Sequence, residues 1–165
     1  MSSERVRDFP KPLRVEGFLT TGDNRAQSSA WLSLCHSIRR RVFIDEQGVP
    51  ENLELDEHEG DAEHFILFAG RGSDAPALGT ARLRLINGHA VVQRVAILHP
   101  YRGQNLGRVL MEAVEDRVRS LGQPSIQLSA QLTAVPFYEA LGYTPDGGIY
   151  IDAGIDHQHM SKPLN

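Results

Sequence analysis

The chain has one cysteine, Cys35, in 165 residues, so no intrachain disulfide can brace it and its scaffold must rest on a hydrophobic core. No apolar run approaches the roughly 18 residues that a membrane-spanning helix needs. Positive charge is not in excess: the formal net charge is −4, which argues against a general nucleic-acid binder while leaving room for a local basic pocket. There is no internal repeat and no low-complexity tract, and the opening MSSERVRDFPKP is charged, without the apolar centre of a secretion signal. These absences lead to the expectation of a cytoplasmic protein that binds neither membrane nor nucleic acid. Hydrophobic residues at 41% and charged residues at 23% suit one globular domain over residues 1–165, with residues 1–12 as a loose lead-in.

Periodicity divides the rest. Leu13 to Leu19 reads as a first strand. From about Asn24 to Ile44, Trp31, Leu34, Ile38 and Val42 recur at helical spacing. Cys35 lies beside that stripe and reads as a small buried hydrophobe rather than a nucleophile. The acidic stretch Gln47 to Gly60, broken by Gly48 and Pro50, reads as a solvated surface loop with room for one helical turn. Strand-like runs follow at His64 to Ala69, Leu78 to Ile86 and Ala90 to Leu98. Asn87-Gly88 between the last two predicts a tight hairpin, because both residues tolerate positive φ.

A one-sided stripe (Leu106, Val109, Leu110, Ala113, Val114, Val118 and Leu121) predicts a helix from about Asn105 to Leu121, stopped by Gly122 and Pro124. Ser125 to Ala130 reads as a strand. Thr133 is placed to cap a helix through Tyr138 to Leu141, with Pro136 in its first turn. Tyr143 to Ile151 and Ile155 to Pro163 read as closing strands. This order predicts a mixed α/β sheet with helices on its faces.

The richest segment is Arg94 to Leu121. The apolar run RVAILHP enters the turn YRGQNLG and then the helix. Free N–H groups at the helix start, the helix dipole and the forked donors of Arg102 together make a phosphate cradle. No Gly-Lys-Ser/Thr follows the turn, so a nucleotide hydrolase is disfavoured.

The segment RVAILHPYRGQNLGRVLM resembles the coenzyme A–binding motif of the GNAT N-acetyltransferase superfamily, whose pattern Arg/Gln-x-x-Gly-x-Gly/Ala meets Arg102, Asn105 and Gly107 here. Asn105 departs from the usual glycine, and asparagine is the next most permissive residue for positive φ. QLSAQLTAVPFYEALGY resembles the family's next strand and helix through Gln131, Ala134 and Tyr138. VFIDEQGVPENLELDEHEGDAEHFIL and GIDHQHM resemble a branch typified by the bacterial ElaA-like and YjcF-like proteins.

The resemblance implies a single GNAT-type domain, with a mostly antiparallel sheet of about six to seven strands flanked by about four helices. It also implies acetyl-CoA as cosubstrate, with no metal. The pantetheine arm would lie along Val95, Ala96 and Ile97, where a backbone N–H would stabilise the oxyanion. The pyrophosphate would sit on Arg102, Gly103, Gln104, Asn105, Leu106, Gly107 and Arg108, and Gln131 and Tyr138 would also contact the cofactor. Tyr138 would give a proton to the departing thiolate.

The acceptor would be a small-molecule or peptide amine, attacking directly in a ternary complex. Its base is open: Gln93 and Arg94 hold the position where relatives place a carboxylate, so Glu46 comes first, His64 second, and Asp56 is also available. The blander readings are a capping role for Glu46 and a core role for His64. His157 and His159 would share a strand face near Asp152 and Asp156, without metal-ligand spacing. A non-catalytic acyl-CoA-binding module on the same fold is the alternative function, and a homodimer through the terminal strands is open.

Overall fold

A computed structural model describes residues 7–164 of the chain. Seven strands form one sheet in the order β1-β2-β3-β4-β5-β7-β6. They are β1 Leu13–Leu19, β2 Glu63–Ala69, β3 Ala77–Ile86, β4 His89–Ile97, β5 Ser125–Gln131, β6 Thr144–Asp152 and β7 Ile155–Pro163. Among the described residues only β4 and β5 run parallel. The connection between them is the helix α3, Leu106–Ser120, as a parallel pair requires. The other helices are α1 Arg25–Arg39, the single turn α2 Glu51–Glu54 and α4 Val135–Ala140.

The predicted mixed sheet is thus observed. Asn87 and Gly88 take φ of 52° and 79°, the left-handed pair of a two-residue hairpin. On one face, Leu106, Leu110, Met111, Val114 and Val118 of α3 pack against Leu67, Leu83, Val92, Ile126 and Leu128. Fully burying each such side chain is worth about 1.5–3 kcal/mol, so this face holds the main core. On the other face, α1 packs through Cys35 on Phe18, Ile66 and Phe68.

Several local expectations are corrected. The helix expected to run to Ile44 is α-helical only to Arg39 and continues as a π-helical turn over Arg40–Glu46. The wider turn keeps Ile38 and Val42 in the core while Phe43 lines the cavity described below. One position of the inward stripe also differs: Leu34 is 40% exposed, whereas its neighbour Cys35 is fully buried. Thr133 does not cap α4; it lies in a short 3₁₀ turn, Leu132–Ala134, and Pro136 falls in the first turn of α4. Of the lead-in, residues 1–6 lie outside the described residues, and residues 7–12 are fastened. Arg7 N–H donates to Pro100 O at 3.0 Å, and Gly70 N–H donates to Pro12 O at 2.8 Å. Among the described residues no helix is long and apolar enough to cross a membrane.

Candidate active site

The site begins with a defect in the sheet. β4 and β5 pair only over Ala90–Val92 and Ile126–Leu128, and beyond that point they diverge. Across β3, Arg82 faces Gln93 and Thr80 faces Ala96, so one β3 residue opposes two on β4. The extra residue is a bulge at Arg94, whose φ of 55° is left-handed for a non-glycine residue. Such a conformation costs about 1–3 kcal/mol and persists only where its surroundings hold it. Val92 and Val95 both pack into the α3-side core, so the two residues between them, Gln93 and Arg94, both turn toward the α1 side.

The gap between the strands opens a cavity of about 990 Å³. Val95, Ala96 and Ile97 form one wall; Leu128, Ala130 and Gln131 form the other. The backbone of the first wall is unpaired with β5 there, so it can receive a ligand as an added strand. The floor leads to the turn before α3. Asn105 is the helix N-cap at φ 67°, ψ 12°, left-handed, with no side chain capping the helix. The asparagine thus supplies the conformation for which glycine is the usual choice, and the first N–H groups of α3 remain available to an anion.

Arg102, Gly103, Asn105, Leu106, Gly107 and Arg108 line the cavity. Gln104 does not: its amide donates to Arg7 O at 2.8 Å and fastens the lead-in. Gly107 has a second reason to be small, because a Cβ there would lie 2.8 Å from Phe137 Cζ of α4.

Arg102 is held from two directions. Its Nε donates to Ile97 O at 2.9 Å, and its two terminal nitrogens take Glu46 at 2.9 and 3.1 Å. Glu46 therefore sits against the cradle's arginine, outside the main cavity, and is corrected from candidate base to partner of Arg102. His64 is corrected as well. It is 1% exposed, stacked on Phe18, with Nε2 2.9 Å from Glu59 O, and it does not line the cavity. Burial lowers its pKa.

Tyr138 lines the cavity from α4, packed edge-on between Phe137 and Tyr143 at 4.9 and 5.6 Å. Desolvation pushes its hydroxyl pKa well up, so the group stays protonated. Gln131 donates to Gln47 Oε1 at 2.7 Å, tying the end of β5 to the end of the π-helical turn.

The acidic stretch is not the solvated loop that its composition predicts. Glu54, Asp56 and Glu59 turn inward onto Arg39, Arg82 and Arg94. Arg39 Nε donates to Glu54 at 2.5 Å and its terminal nitrogens to Glu59 at 2.6 and 2.9 Å. Arg82 grips Asp56 through two bonds of 2.8 Å and reaches Gln93 Oε1 at 2.7 Å. Arg94 meets Glu54 O at 3.2 Å and Asp56 Oδ2 at 3.3 Å. Three guanidiniums face three carboxylates, so this wall is close to neutral.

Burial alone would raise the Asp56 pKa, but the Arg82 hydrogen bonds and charge outweigh it and hold the carboxyl at about 2. Glu59 is likewise held well below the usual carboxylate range, burial being overcome by His36, Arg39 and Arg82. Asp56 is thereby also removed as a candidate base. Glu54 lines the cavity but is 3% exposed and paired with Arg39.

Sequence reasoning missed most of the α1-side wall, which is made of Phe43, Gln47, Val49, Leu53 and Arg94. The signal present was two arginines, Arg39 and Arg82, inside otherwise apolar patterns. A buried guanidinium requires a carboxylate, and the acidic loop was the available source. The pattern also missed His157, which lines the cavity from β7. Among the described residues no group of three His, Cys, Asp or Glu side chains is placed to hold a metal.

Known proteins carry the same architecture. Bacillus subtilis YjcF, described as an uncharacterized N-acetyltransferase, is 34% identical over 126 residues, covering 76% of this chain and 87% of that protein. Escherichia coli ElaA is 27% identical over 132 residues, covering 77% and 84%. The crystal structure of an acyl-CoA N-acyltransferase from Pseudomonas aeruginosa superposes with a TM-score of 0.75 at 26% identity, covering 92% of this chain and 99% of that one. A family profile described as an acetyltransferase (GNAT) domain matches residues 21–164, which span the split strands, the cradle and Tyr138 alike, and the chain belongs to the GNAT family, in its ElaA-like and YjcF-like branch.

Proposed function

We propose that this protein is an acetyl-CoA-dependent N-acetyltransferase that moves the acetyl group to a primary amine by direct attack in a ternary complex. The observation that carries the proposal is the alignment of the β4/β5 split with the uncapped start of α3. A chain-like acyl thioester can pair with Val95 to Ile97 while its diphosphate rests on the free N–H groups and Arg102. Acetyl-CoA supplies the activated acyl group. The protein's share is to align the thioester on β4, donate backbone N–H groups to the carbonyl oxygen, and hold the Tyr138 hydroxyl where the sulfur departs. The apolar stretch of wall formed by Val95, Ala96, Leu128 and Ala130 limits water around the thioester.

The alternative is an acyl-CoA-binding module without turnover. What favours it is that Glu54, one of the two carboxylates lining the cavity, is held by Arg39 and serves poorly as a base. Calorimetric titration with acetyl-CoA, with ATP and NAD as controls, tests the donor. Selective binding followed by thiol release with a primary amine supports the enzyme; binding with no turnover on any amine supports the module. Absence of acetyl-CoA binding overturns both.

A further inference from the structure

We propose that His157 is the catalytic base that takes a proton from the acceptor amine, an inference that rests on the acetyltransferase reading above. The argument is topological first. His157 pairs with Gln131 of β5 and with Tyr150 of β6, so these three side chains share one sheet face. Met160 has the opposite parity on β7 and packs with Leu128, Ala130 and Tyr138 in the α3-side core. His157 and Tyr138 therefore reach the same cavity from opposite faces of the sheet. Gln131 joins the His157 face to Gln47, on the side where α1 and the acidic stretch lie. The face that carries Tyr138 also carries the cradle for the donor, which leaves the His157 face for the amine.

The second argument is the ring's tautomer. Nδ1 lies 2.7 Å from Ile155 O, and a carbonyl oxygen only accepts, so Nδ1 carries the hydrogen. Nε2 then presents its lone pair. Stacking on Tyr150, at 6.0 Å and 24°, fixes the ring plane.

The third argument is elimination among the cavity's proton acceptors. Glu54 is occupied by Arg39, and Asp152 is exposed at the hairpin that joins β6 to β7. An exposed carboxylate is free to reorient in water, whereas the imidazole is fixed by Ile155 O and Tyr150.

The protons balance. Nε2 of His157 takes one proton from the ammonium, leaving a neutral amine whose lone pair attacks the thioester carbon. The C–N bond forms and the C–S bond breaks. The Tyr138 hydroxyl gives its proton to the departing sulfur and regains one from the nitrogen, so no tyrosinate accumulates. The products are the amide, the free thiol and a protonated His157.

The test uses His157→Asn, which keeps a donor near the place of Nδ1, and His157→Gln, which keeps a non-basic acceptor near that of Nε2. Binding of acetyl-CoA is read by calorimetry. Turnover is read as thiol release with spermidine, a lysine-containing peptide and an amino-acid amide, across pH. Both variants should bind acetyl-CoA as the wild type does and lose turnover by about 100-fold or more. The wild-type rate should fall on the acid side with a one-proton limb that both variants lack.

Other groups that face this ring are Tyr150 and Asp152 of β6 and His159 of β7, with Glu54 and Arg94 on the opposite wall. Asp152→Asn should keep the limb, which ties it to His157. Nitrogen-labelled histidine NMR should show the Nδ1–H tautomer. Either variant turning over at the wild-type rate, a limb that survives in both, or an Nε2–H tautomer overturns the proposal. Wild-type protein that binds no acetyl-CoA, or binds it and acetylates none of the amines, overturns the acetyltransferase reading and this proposal with it.

Discussion

The two walls of the cavity are built by different means. The donor wall uses backbone: three residues of β4 unpaired with β5, a left-handed asparagine and the first turn of α3, all within Val95–Arg108. The α1-side wall is backed by side chains: three arginines from α1, β3 and β4 converge on three carboxylates of the acidic stretch, and of these Arg94 and Glu54 reach the cavity. A backbone cradle forms as soon as its strand, turn and helix form. An ion-pair network forms only when distant elements have docked. The first tolerates side-chain replacement wherever the backbone conformation is kept, whereas the second loses much when any partner is removed.

The largest expected effect therefore lies on the α1 side. Arg82→Met leaves Asp56 and Glu59 without their shared partner at a site where Arg82 is 1% exposed. Removing one partner from a buried network costs about 3–5 kcal/mol, and chemical denaturation should show that loss. A loss under 1 kcal/mol would mean that the network is solvated and the contrast between the walls is overstated.

The donor side should respond in catalysis rather than in folding. Tyr138→Phe removes one hydroxyl from an otherwise apolar packing site, so turnover should drop by about 100-fold while calorimetry shows unchanged acetyl-CoA affinity. Equal turnover in the phenylalanine variant would assign the tyrosine to packing alone.

Acid should unlatch the α1 side first. The Asp56 carboxyl is depressed from its ordinary value of 3.8 to about 2. Its folded state binds protons less readily than the unfolded chain, so its contribution is full above pH 4 and is lost as pH falls toward 2. Melting temperature followed from pH 5 to pH 2 should decline steeply over that window, and the decline should flatten in Asp56→Asn.

The smallest effect is expected where the walls meet. Glu46 occupies the Arg102 fork that the diphosphate would use, yet both side chains are about one-third exposed, at 33% and 39%. Exposed pairs are worth roughly 0.2–1 kcal/mol. Glu46→Gln should thus tighten acetyl-CoA binding by roughly two- to five-fold in a titration at low salt. Weaker binding would show that Glu46 orients Arg102 rather than competing for it.

The same contrast explains which parts were readable before any coordinates. The α3 stripe as far as Val118, its Gly122 stop, the Asn87-Gly88 hairpin and the Asn105 turn are local, and each is legible from neighbours a few residues apart. The π-helical turn was not legible, because a change of helix type shifts the face by a fraction of a turn that no spacing rule resolves. His64 looked available as a base because its strand context hides the carbonyl of Glu59, whose position depends on how the acidic stretch folds back. Glu46 looked free because Arg102 lies 56 residues away in the chain.

Periodicity, turn chemistry and the motif around Arg102 suffice to specify the sheet, its flanking helices and a helix start suited to phosphate, since each depends on short-range geometry. The register of β7 against β5 and β6 alone puts His157 beside Gln131 and into the cavity. The docking of residues 51–61 onto Arg39, Arg82 and Arg94 alone turns an acidic stretch into a neutral wall. Charges meet through space, and no local pattern can say which opposite charge the folded chain will bring within 3 Å.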